Sequence, residues 1–144
     1  MERYRPCGMA VTVAVFSFLY LAVPASAHHG FGLEFDAKNC INMTGTFTKY
    51  DWSNPHAYFY MDVKDDSGKV TPWTFESISL SSLRRSGTTR QDFILATGKT
   101  VTVRGCLAKS GQPRASAETL KMPDGRLLRV GNTGDRDDTG GGAN

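Results

Sequence analysis

Ala57-Tyr58-Phe59-Tyr60-Met61-Asp62-Val63 is the stretch that decides the fold. Ala57, Phe59, Met61 and Val63 alternate with Tyr58, Tyr60 and Asp62, the two-residue period of a strand with one buried face. This predicts a strand from His56 to Lys64. The turn cluster Asp65-Asp66-Ser67-Gly68 follows, so a hairpin leads into a third strand, Lys69 to Glu76, carrying Trp73 and Phe75. The character then changes. Leu80, Leu83 and the Arg84-Arg85 pair fit one short helix, with Ser79 as N-cap and Gly87 as stop.

Working outward, Ile41 to Phe47 also alternates and supplies a first strand. Thr88 to Thr97, with Phe93, Ile94 and Leu95, reads as a connector. Lys99-Thr-Val-Thr-Val-Arg-Gly105 is the strongest strand signal in the chain, and Lys109 to Pro113 is a loop. Ala115 to Met122 reads as a strand, the turn Pro123-Asp124-Gly125-Arg126 follows, and Leu127–Val130 ends the pattern. Three strands, a helix, two strands and a short hairpin extension form the order of a small OB-like barrel. The expected class is all-β with one short helix, five to six strands, and the helix plugging the open end. A six-stranded β-sandwich is the alternative.

This core spans residues 39–130. Before it lies an N-terminal arm, residues 28–38, with His28, His29, Phe31 and Phe35. After it, residues 131–144 are rich in glycine and aspartate with no large apolar side chain, and read as a disordered tail. Residues 1–27 read as an export signal. Arg3 and Arg5 precede an uncharged run from Gly8 to Val23, Pro24 breaks it, and Ala25-Ser26-Ala27 supplies a small-residue cleavage site. The run is short for a membrane span, which takes roughly 20 residues. The expected location is therefore periplasmic or secreted, with no stable membrane span after cleavage. A formal charge of +3, from 17 basic and 14 acidic side chains, is too small and too evenly spread to indicate nucleic acid as a partner.

Export alters the meaning of the cysteines. Cys7 leaves with the signal, and Cys40 and Cys106 remain in an oxidising compartment, where a disulfide is the natural inference. Two separately buried thiols are the other possibility. In the expected barrel the first and fourth strands are neighbours, which brings the pair within bridging reach of about 4.4–6.8 Å between Cα atoms.

The histidines suggest a metal. Cleavage after Ala27 gives His28 an amine and an imidazole on one residue, a two-nitrogen chelate for a transition metal, with His29 or His56 as a third donor. Cleavage one residue earlier leaves an amine with His28 and His29 close behind it, also a chelator. Copper is the cation that suits this nitrogen set. The plainer alternative is an exposed histidine pair, with His56 capping a loop. A second constellation is aromatic: Tyr58 and Tyr60 share one strand face with His56, and Trp52 lies in the preceding loop. Such a face suits a glycan or an envelope protein, or it covers the sheet with hydroxyls in water. No catalytic motif is present, so no enzyme is expected. Asp62, Asp65, Asp66 and Glu76 read as ordinary strand and turn carboxylates.

Ala27-His28-His29-Gly30-Phe31, Glu34-Phe35-Asp36, Trp52-Ser53-Asn54-Pro55-His56 and Leu95 to Gly105 together resemble a family of small exported bacterial proteins of unknown function. The resemblance covers about residues 27–130. Its motifs are an A-H-H-S-F start and a W-x-N-P-H loop. Gly30 stands where the family has serine, so no hydroxyl is essential there. Cys40 and Cys106 look like additions to the family pattern, and their joint presence implies a bridge.

Overall fold

Counting back from the Asp65–Gly68 turn pairs Tyr58 with Glu76, and this is the register observed. The computed structural model describes residues 30–132. Among these the order is α1 (Phe31–Glu34), β1 (Phe35–Asp51), β2 (Tyr58–Lys64), β3 (Val70–Glu76), α2 (Leu80–Arg85), α3 (Arg90–Ala96), β4 (Thr100–Ala108), β5 (Arg114–Lys121) and β6 (Leu127–Arg129). The sheet runs β3-β2-β1-β4-β5-β6. A parallel pairing of β3 with β5, through Thr74↔Arg114, Phe75↔Ala115 and Glu76↔Ser116, closes the first five into a barrel. β6 is an extra strand on β5. That closure selects the OB-like barrel over the sandwich, in which no strand pair joins the two ends of the sheet.

The alternating positions fill the interior. Phe47, Phe59, Met61, Phe75, Val103 and Leu120 are fully buried. Phe59 stacks between Phe47 and Phe75, with ring centroids 5.3 and 5.1 Å away. Each such ring contributes about 1.5–3 kcal/mol by leaving water.

The all-β class holds, with three short helices among the described residues where one was expected. α2 forms as expected, with the Ser79 hydroxyl accepting from the Ser82 amide and Gly87 at φ +82° ending it. The segment read as a connector, Thr88 to Thr97, contains α3. Its start is a capping box: Asp92 accepts from both the amide and the hydroxyl of Thr89, at 2.9 and 2.8 Å. Only Phe93 of the apolar trio points inward, while Ile94 and Leu95 are about half exposed, so the run shows no helical stripe in sequence. Phe93 plugs the barrel edge-on to Phe47 and Phe59, both at 5.7 Å.

The described part of the segment read as an arm is ordered and runs into the first strand. Phe31–Glu34 is helical, and β1 begins at Phe35, which is 3% exposed. The partners come from far along the chain: the Lys109 amide donates to Glu34 O at 2.9 Å, and the Arg114 guanidinium lies 5.5 Å from the Phe35 ring centre. β1 then serves two neighbours, pairing with β4 through Thr46 and with β2 from Thr46 onward, with an irregularity between Phe47 and Lys49. Gly45 sits at this crossing, where a Cβ would lie 2.4 Å from Asp62 O. No helix among the described residues is long and apolar enough to cross a membrane. The remainder of the segment read as a tail, residues 133–144, and residues 1–27 lie outside the described residues.

Cys40 and Cys106 are bonded. They are direct register partners across the β1–β4 ladder, with Cα atoms 3.8 Å apart, closer than the expected bridging range.

Candidate functional site

The loop from Trp52 to His56 fixes one imidazole against the end of β3. Trp52 lays its ring edge-on to Phe93 at 5.2 Å, the Asn54–Pro55 peptide is cis, and Ala57 is fully buried. Two backbone bonds lock the following turn, Ala57 N to Ile78 O at 3.3 Å and Ser77 N to Ala57 O at 2.8 Å. His56 is thereby held beside Ser77. Its Nδ1 lies 3.1 Å from Ser77 O and 2.9 Å from Glu76 Oε1. Both neighbours are acceptors, so in the neutral ring the proton sits on Nδ1 and the lone pair on Nε2.

Glu76 belongs to a larger polar group. Arg114 donates to Glu76 Oε2 at 2.6 Å and, through its other terminal nitrogen, to Glu34 on α1. Two carboxylates thus face one guanidinium, leaving net negative charge. Tyr58 stands opposite Glu76, and its hydroxyl pKa is raised by burial first, then by the charge of Glu76, with Arg114 opposing. A cavity of about 120 Å³ opens here, lined by Phe31 and Phe35 from the arm side and by His56, Glu76 and Ser116 from the barrel side. Its walls offer one imidazole, two carboxylates and apolar rings, an arrangement suited to a cation.

The sequence-derived site residues divide. His56 lies in the cavity wall, whereas His28 and His29 lie outside the described residues. Tyr58 and Tyr60 are on β2, Tyr58 against Glu76 and Tyr60 beneath the Lys49 ammonium at 4.4 Å. Trp52 turns its ring onto Phe93 and packs against the core. Sequence reasoning missed Glu34, Glu76 and Arg114. Glu76 was within reach, since the hairpin register already places it opposite Tyr58. Arg114 was not, because only the β3–β5 closure brings it there.

No curated protein matches the chain, and no solved structure matches it. The profile of one family does match, over residues 16–117, a span that includes His28, His29, Cys40, His56 and Cys106. The chain belongs to this family of unknown function, DUF6152.

Proposed function

We propose that this is an exported, non-enzymatic binding module that holds copper(II) through the nitrogens of His28, His29 and His56. The observation that carries the reading is the pair of acceptors that faces His56 Nδ1. Histidines that ligate metals characteristically donate their second ring N–H to a carboxylate or a backbone carbonyl; here Ser77 O lies in hydrogen-bonding position on Nδ1 with the Glu76 carboxylate 2.9 Å away, and Nε2 faces neither. Arg114 in turn holds Glu76, so the imidazole cannot swing freely. The net negative charge of the Glu34–Arg114–Glu76 group favours a cation over an anion. Phe31, two residues after His29, lines the same cavity as His56, and two residues of chain reach at most about 7 Å. Export supplies both the free amine and an oxidising compartment that suits the Cys40–Cys106 bond.

Copper(II) titration of protein whose terminus has been verified by intact mass tests the reading. One equivalent is expected to bind. His28→Ala and His56→Ala should each weaken binding by more than about tenfold, the lower end of what metal sites lose when their supporting shell is altered. Affinity unchanged by both substitutions refutes the proposal.

A further inference from the structure

Glu118 is a half-hidden carboxylate that the histidine site does not use. Its position is built with care. β5 carries a bulge where Arg104 pairs with Thr119 and Gly105 with Ala117, so Glu118 is the extra residue. Bulges re-aim side chains. Here Oε1 ends 3.6 Å from Cys106 Sγ while Oε2 accepts from Arg104 Nε at 2.9 Å. The Glu118 carbonyl is pinned by the amides of Val130 and Gly131, at 3.0 and 2.9 Å. A Cβ at position 131 would sit 1.6 Å from Ala117 O, so only glycine permits that approach. A disulfide sulfur has no proton to give a carboxylate. Reduction would put a thiol proton, or a metal ion on that sulfur, within reach of Oε1.

We propose that Cys40, Cys106 and Glu118 form a redox-gated site for a thiophilic divalent cation of the zinc(II) type, closed as the disulfide and opened by reduction. The two sulfurs and a carboxylate oxygen all lie within 4.8 Å of one another. Donors around one tetrahedral zinc are separated by about 3.5–3.8 Å, so once the bond is broken the two sulfurs part by side-chain rotation, and water takes the fourth position. The charges also balance. Two thiolates and one carboxylate are matched by a dication and the Arg104 guanidinium, which a group this close to the interior requires. Reduction needs a dithiol donor. It attacks Cys40, which is the more exposed of the pair, and its two thiols supply two electrons and two protons. The Cys40–Cys106 bond breaks, two protein thiols form, and the donor leaves as its own disulfide. The cation then displaces both thiol protons to solvent.

Cobalt(II) is the probe, added to the protein with and without prior reduction by a dithiol and removal of the reductant. The reduced protein should bind one cobalt and develop a thiolate-to-cobalt charge-transfer band in the near ultraviolet, which zinc(II) abolishes by displacement. A histidine site gives no such band, so this result is independent of His56. The oxidised protein should give none. Glu118→Gln, which keeps both cysteines, should weaken cobalt binding at least about tenfold. Near-ultraviolet circular dichroism from Trp52 and Trp73 reports whether the reduced chain is folded. Three results overturn the proposal: no sulfur band in reduced, folded protein; unchanged affinity in Glu118→Gln; or loss of the tryptophan signal on reduction that cobalt does not restore.

Discussion

Phe93→Ala is the substitution that most exposes how this barrel is sealed. The ring is fully buried and touches four others edge-on: Trp52 at 5.2 Å, Phe47 and Phe59 at 5.7 Å, and Tyr50 at 5.9 Å. Truncating a buried phenylalanine costs about 3–5 kcal/mol, the sum of lost transfer energy and an unfilled cavity. The seal has little freedom to collapse, because Phe59 is already stacked between Phe47 and Phe75. The upper half of that range, about 4–5 kcal/mol, is therefore expected. Its neighbours provide the contrast. Ile94 and Leu95 are 47% and 52% exposed, so Ile94→Ala and Leu95→Ala should stay within about 0.5–1 kcal/mol. Urea unfolding followed by tryptophan fluorescence measures all three, with the midpoint carrying the difference if the slopes agree. A loss below about 1 kcal/mol for Phe93→Ala, or equal losses at all three positions, would refute the account of α3 as the plug.

Other perturbations test other joints. The Cys40–Cys106 bond closes a loop with a sequence separation of 66, for which the chain-entropy estimate is about 4 kcal/mol, so Cys40→Ser with Cys106→Ser should lower the melting temperature by more than about 10 °C. Protein that has lost residues 1–27, and with them Cys7, should show no titratable thiol, and two free thiols there would contradict the bridge. Asp92 is held below the usual carboxylate range: burial opposes this, but hydrogen bonds from Arg126 and Thr89 outweigh it. Its stabilisation is present above the unfolded carboxylate pKa of about 3.9 and disappears as pH falls through the lower folded value, so Asp92→Asn should cost about 1–2 kcal/mol near neutrality and little in strong acid. A pH-independent difference in denaturant midpoint would remove that reading. Glu76→Gln should leave the fold intact and weaken copper(II) binding about tenfold, because the imidazole loses its charged anchor. Unchanged titration curves would detach Glu76 from the site.

What the sequence made legible follows from where the information is local. Strands β2 and β3, the turn between them and helix α2 each rest on alternation or capping within a dozen residues, and all appear within two residues of their expected limits. The pairing of Cys40 with Cys106 followed once β1 and β4 were neighbours. Helix α3 was missed because one inward ring among three apolar residues makes no stripe, and because its capping box uses aspartate at the third helical position. The secondary structure of the arm was missed for a different reason. Phe31 to Glu34 gains its order from Lys109 and Arg114, some 75–80 positions away. The candidate site shows the same division: His56 stands out by its residue type, whereas Arg114 matters only through the parallel seam that closes the barrel.

The central claim is that His56 offers Nε2 to a copper ion shared with nitrogens from the start of the mature chain. Pulsed electron paramagnetic resonance of the copper(II)-loaded protein reads this directly, since the remote nitrogen of each coordinated imidazole modulates the echo. The account predicts imidazole modulation in the wild type that falls by one ring in His56→Ala, with Nδ1 of His56 as the remote, protonated nitrogen. Identical modulation in the two proteins would contradict it.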